Sequence, residues 1–157
     1  MTTHIMAITY PPKIPSVKSG NCDQTIRIHN SERPKRVGDK LLLHTWAGLP
    51  YRSKWDWRLE TEISEVLTLF GQYEWFGPEE NRCHMTIWKL LTDYEILQTG
   101  SKIPNYRMLT TEEVEKIIER DGIKPVKYEQ LEMTLESLNG LYSTDFEWWD
   151  VIRWKMK

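Results

Sequence analysis

The chain reads as a single α+β domain, mainly β: a small mixed β-barrel of five to six strands with two to three flanking helices. Three observations predict it. Its 157 residues suit one domain with one sizeable core. Five or six stretches carry β-branched and aromatic residues in strand-like runs, against two clearly periodic helices. Strands and helices do not alternate as βαβ units, which argues against a parallel doubly wound sheet.

The elements follow in order. His4 to Tyr10 reads as a first strand, stopped by Pro11-Pro12. Lys13 to Ser19 suits a turn or two of helix with Ile14 and Val17 facing inward and Gly20 as its left-handed stop. Gln24 to His29 is the second strand. Gln24, Ile26 and Ile28 point one way, Thr25 and Arg27 the other. Residues 30–38 form a basic loop, and Gly38-Asp39 turns the chain into the strand Lys40 to Trp46. Its run Leu41-Leu42-Leu43 predicts burial on both faces.

Ala47-Gly-Leu-Pro50 breaks the chain before a long strand, Trp57 to Phe70. Period-two spacing puts Leu59, Thr61, Ile63, Glu65, Leu67 and Leu69 on one face. Residues 71–82 read as a loop and His84 to Leu97 as a strand pairing back as an antiparallel hairpin. Residues 100–109 read as a second loop. Thr110-x-x-Glu113 is a capping box opening a helix whose buried stripe is Val114, Ile117 and Ile118, ended by Gly122. A second helix spans about 126–139 on Tyr128, Leu131, Leu135 and Leu138, stopped by Gly140. Phe146 to Lys155 is the last strand.

Composition narrows the chemistry. Charged residues are 28% and apolar ones 39%, an ordinary soluble balance. No apolar run approaches the roughly 20 residues of a membrane span, and no signal-peptide pattern opens the chain. Two cysteines, Cys22 and Cys83, make no disulfide framework, so a reducing cytoplasmic setting is expected. Cys83-His84 would diverge on a strand, and the sequence has no metal-spaced His/Cys set, so neither a metal nor a cofactor is expected. Phosphate-cradling glycine loops and serine elbows are also missing from the sequence.

The net charge of −2 is unevenly placed. Residues 1–58 hold ten Lys/Arg against four Asp/Glu; the remainder holds eleven against nineteen. A basic face is compatible with a short polyanion, or with charge scattered over the surface by the fold. Eight tryptophans are the most unusual count. Most belong in cores, but Tyr51-Arg-Ser-Lys-Trp-Asp-Trp-Arg58 interleaves rings with cations, which suits a base-stacking contact at Trp55 beside Arg52 and Lys54.

The stretch Lys18-Ser-Gly-Asn-Cys-Asp-Gln-Thr-Ile-Arg27 concentrates the candidate chemistry. A hydroxyl at Thr25 and a guanidinium fork at Arg27 share a strand face, a pair that suits phosphate or a carbonyl edge. Its Ser-Gly-x-x-x-Gln-Thr-Ile-Arg pattern is followed by Arg33-Pro-Lys-x-x-Gly-Asp39 and the strand from Lys40. Together these resemble the ASCH family of PUA-like β-barrels. Glu119-Arg-Asp-Gly-Ile123 and Trp148-Trp-Asp-Val-Ile-Arg-Trp154 extend the resemblance over most of the chain outside its middle.

The resemblance implies a cationic cleft between barrel and helix that binds RNA or a modified nucleoside. That cleft would carry Lys18, Thr25, Arg27, Asp39 and Asp121, with Arg33, Lys35, Arg36, Arg52, Lys54 and Trp55 around it. An alternative implied activity is amide hydrolysis of an N4-acylated cytidine. The family's threonine then matches Thr25, its glutamate falls near Asp121, and its lysine position is held by Cys22. Cys22 would act as thiolate nucleophile, or Lys18 would supply the missing amine. A third class is a structural domain with no ligand.

Overall fold

The computed structural model describes residues 1–76, 82–90, 106–122, 126–139 and 146–156. Among the described residues, seven strands and three short α-helices form an α+β domain that is mainly β. The strands are β1 (Thr3–Ala7), β2 (Gln24–Ile28), β3 (Lys40–Trp46), β4 (Trp55–Phe76), β5 (Arg82–Leu90), β6 (Tyr106–Met108) and β7 (Phe146–Trp154). The helices are α1 (Ile14–Lys18), α2 (Thr111–Asp121) and α3 (Tyr128–Asn139), with a single 3₁₀ turn, Pro11–Lys13, before α1.

The expected closed barrel is not formed. The ladder runs β1-β3-β4-β5-β6, and β7 joins it by pairing with β4 while carrying β2 on its other edge. Only β1 and β3 are parallel; the remaining pairs are antiparallel. The edges of β1 and β2 share no ladder, so the sheet stays open there.

The long strand β4 lets one sheet face two cores. Residues 55–62 pair with β3, and residues from Ile63 onward pair with β7. A register shift between Ile63 and Glu65 inserts one extra residue. A bulge of that kind reverses the inward and outward phase of everything beyond it. Leu59 and Ile63 therefore pack with Met6, Ile8, Val17, Leu41, Leu43, Ile152 and Trp154. Leu67 and Leu69 pack on the other side with Ile117, Ile118, Leu131, Leu135, Trp149 and Val151. The single face predicted for residues 59–69 is thus two faces, because strict alternation cannot foresee an inserted residue.

Other expectations hold with shifted ends. Gly20, Gly38 and Gly122 take φ values of +81°, +91° and +75°, the left-handed conformation that their turns demand. Thr110 accepts from the Glu113 backbone N–H, and the Glu113 carboxylate reaches back to the Thr110 N–H, completing the capping box. Val114, Ile117 and Ile118 are buried along α2. Leu41 and Leu43 are buried, whereas Leu42 is half-buried. The antiparallel hairpin of β4 with β5 forms as expected. Residues 71–76, read as loop, continue β4, and the short strand β6 lies in the second predicted loop. The predicted strand beyond Leu90, most of that loop, the side chains of Cys83, His84 and Leu138, and the Gly140 stop lie outside the described residues. No helix among the described residues is long and apolar enough to cross a membrane.

Candidate ligand-binding site

Several buried or half-buried polar groups, Thr25, Arg27 and His44 among them, lie beside the open seam between β1 and β2. On β2, Gln24 and Ile26 face the α2–α3 core, and Gln24 Nε2 donates to the Ile117 carbonyl at 2.8 Å. Thr25 and Arg27 face the opposite way, opposite Ile152 and Asp150 of β7. The two residues share a face as predicted. That face looks toward the β1, β3 and α1 side, whose core holds Ile152 and Val17. It is not the face covered by α2 and α3, where the helix-lined cleft was expected.

Arg27 spans the seam. Ile8 donates its backbone N–H to the His44 carbonyl, so Ala7, one residue back, points its carbonyl to the unpaired side of β1. Arg27 Nη2 donates to that carbonyl at 2.5 Å. Burial pushes the Arg27 guanidinium below its ordinary range, while Asp121 and Tyr51 counter the shift. Its Nε is buried with no hydrogen-bond partner.

Around the end of β1 sits a ring cluster that the sequence only hinted at. His44, in register with Ala7, is 4% exposed. Trp55 stacks on it with centroids 3.9 Å apart and planes 13° apart. Trp46 meets His44 edge-on at 4.9 Å, and Tyr51 leans on Trp46 at 5.3 Å. Tyr51 is the sole non-glycine residue with positive φ among the described residues, at 61°, and it stands 90% exposed. Backbone held in that region by a bulky residue is a marker of functional turns. His44 Nδ1 and Trp46 Nε1 are both buried without partners. Burial, and then the Arg27 charge, push the His44 pKa down, which favours neutral imidazole.

Asp121, at the end of α2, closes one side. Lys13 Nζ lies 2.6 Å from its Oδ1, and both side chains are 9% exposed. Burial raises the Asp121 pKa, opposed first by Lys13. Lys13 was not singled out in the sequence; a lysine after two prolines carries no signal until the fold brings Asp121 to it. Cys22 is buried, with Sγ donating to the Arg120 carbonyl at 3.2 Å and the Gln24 carbonyl at 3.4 Å. Burial raises its pKa, so it is held as a neutral thiol rather than a nucleophilic thiolate. Thr25 is 5% exposed, and its hydroxyl has no partner among the described residues.

The remaining predicted residues divide. Lys18 is turned to Asp56, Nζ to Oδ2 at 3.9 Å, and so does not stand in for the missing amine. Asp56 also accepts from the Thr45 hydroxyl. Arg52 and Lys54 are exposed on the turn that carries Tyr51 and leads into Trp55, so they rim the ring cluster. Lys35 lies 4.0 Å from the buried Asp150, which also takes the His29 ring at 3.0 Å and the Thr68 hydroxyl at 3.1 Å. Arg33 and Arg36 are exposed on the loop before β3.

Asp39 does not join the cluster. It accepts from the Thr2 and Arg36 backbone N–H groups and contacts His4 Nε2 at 3.0 Å, locking the chain's start to the loop. Six residues of strand, roughly 20 Å, separate it from Thr45. Those hydrogen bonds hold its pKa down to about 2. A separate groove of about 730 Å³ lies near that end, lined by residues such as Thr3, Lys40, Leu42, Glu60 and Met156. No group of three or more metal-ligating side chains occurs among the described residues.

The cluster can therefore do two things: accept a flat ring against an indole or imidazole, and donate hydrogen bonds from buried nitrogens. Comparison of the chain with protein families, with curated proteins and with solved structures found no match.

Proposed function

We propose that this chain is an ASCH-type binding module for a nucleoside-type ring, either free or turned out of a single RNA strand. The observation that carries the reading is the trio of buried, unpartnered nitrogens, Arg27 Nε, His44 Nδ1 and Trp46 Nε1, beside the Trp55–His44 stack. An unmet buried donor costs roughly 1–3 kcal/mol, so Arg27 Nε and Trp46 Nε1 call for a partner that supplies acceptors, and His44 Nδ1 for a group of either sense. The stack supplies the second half of base recognition, because every base has a π-face. Exposed Arg52 and Lys54 beside Trp55 suit the phosphate of a nucleotide.

Hydrolysis of an N4-acylated cytidine is the second reading. One observation favours it: Lys13 brings an amine close enough to act on the Cys22 thiol electrostatically, at the position where the resemblance expects lysine. Against it, Asp121 already holds that amine at 2.6 Å, and the Thr25 hydroxyl has no base bonded to it among the described residues.

Titration with nucleoside monophosphates and with a short single-stranded RNA, followed by tryptophan fluorescence, tests the binding reading. The expected result is saturable quenching, weakened about tenfold by His44→Ala through loss of the ring on which the ligand stacks. Absence of any saturable signal would overturn it and leave a purely structural domain. Incubation with N4-acetylcytidine, read by chromatography, should return the substrate intact; release of cytidine would move the assignment to the hydrolase.

A further inference from the structure

We infer that the seam site selects rings with a carbonyl-rich edge, of the uracil type, and that Trp55 is displaced from His44 when such a ring enters. The inference rests on the binding reading above and adds what the site reads.

The donor count carries the selectivity. Arg27 Nε and Trp46 Nε1 are donors in every accessible protonation state, since guanidinium stays charged and indole nitrogen never accepts. Neutral His44 adds one N–H and one lone pair. Two obligate donors and one nitrogen pair of either sense match an edge that presents carbonyl oxygens around a ring N–H. An exocyclic amino group placed against either obligate donor leaves two donors facing each other. A site built to hydrogen-bond one edge rejects the analogue that cannot complete it.

The entry step follows from burial. All three nitrogens are closed off from solvent, and the ring lying flat on His44 is the chain's own Trp55. Trp55 is itself 39% exposed at the first position of β4, next to the register shift between Thr45 and Trp46. The turn before it contains Gly48 and the left-handed Tyr51. A turn at the end of a strand is where a few residues absorb a change of backbone angles. The indole therefore occupies the stacking position until a ligand ring takes it, and the orphaned donors gain acceptors only in the liganded state.

The test is a titration of the full chain with uridine, cytidine and adenosine 5′-monophosphates, with indole N–H resonances followed by NMR. Uridine monophosphate should bind at least about tenfold tighter than either amino-bearing ring, and the Trp46 and Trp55 indole signals should both move. Trp46→Phe keeps a ring and removes one donor; the preference should then fall below about threefold. If that variant loses its folded spectrum, Arg27→Lys, which keeps the cation but removes the Nε donor, carries the same expectation. Equal binding of all three nucleotides would overturn this selectivity while leaving base binding intact. Binding of none would sink the binding reading itself. Uridine binding with an unmoved Trp55 signal would overturn the displacement.

Discussion

Arg27 on β2 donates to the Ala7 carbonyl on β1 across a seam where the two strand edges share no backbone ladder. A single side chain thus does what a row of N–H and C=O groups does in a closed barrel. The arrangement leaves room beside the end of β1 for His44, Trp46 and Tyr51. It also places a cation whose Nε is buried and unpaired.

Replacing Arg27 with Ala removes a charge-assisted bond and leaves the Ala7 carbonyl to find water. Destabilisation of about 1–3 kcal/mol is expected. Urea unfolding measures it. Stability equal to that of the parent chain would mean the seam is held by its apolar packing alone.

Gln24 is fully buried between the two layers, with Arg153 Nε donating to its Oε1 at 2.9 Å and its own Nε2 donating to the Ile117 carbonyl. Gln24→Leu matches it roughly in size but orphans a charged donor and a helix carbonyl. A loss of about 2–4 kcal/mol is expected, larger than for Arg27→Ala. Thermal unfolding of both variants under one condition ranks them.

Asp39 and Glu113 predict the acid limb of stability. Their pKa values are held down to about 2, by the Thr2 N–H in one case and by Arg107 in the other. Both fall below the unfolded carboxylate range. Their contribution is full above about pH 4.5 and declines as pH drops toward 2, where the folded state takes up the proton too. Asp39→Asn should flatten that decline in urea midpoints measured from pH 5 to 2. An unchanged slope would remove Asp39 from the account.

His44 predicts a second, milder slope. Burial and Arg27 lower its pKa, so the unfolded chain binds a proton before the folded one does. Stability from this residue is full above its ordinary value of about 6.5 and decreases as pH falls below it. Histidine Cε1–H chemical shifts across pH 4 to 8 should show His44 titrating below its unfolded value. A midpoint at or above 6.5 would contradict the buried, neutral imidazole on which the selectivity rests.

Local rules were enough for the elements whose signals are local. The Thr110–Glu113 capping box, the Gly122 stop and the 40–46 strand need only neighbouring residues, and each is found where expected. The shared face of Thr25 and Arg27 is likewise a consequence of strand geometry. The site was legible as far as Trp55 among its rings and Arg27 among its donors. Tyr51 was marked only as the first ring of the stretch 51–58, and His44, Trp46 and Lys13 carried no mark of their own, because their significance lies in contacts between segments remote in the chain.

From its order of residues alone, then, this protein is an α+β chain, mainly strands, with helix ends and turns set by caps and glycines. Only the folded form decided that the bulge after Ile63 turns β4 from one core to the other, and that β1 and β2 meet through Arg27 rather than a ladder. The reason is physical: backbone preference acts over a few residues, whereas register, closure and the pairing of buried polar groups are settled by which distant surfaces exclude water together.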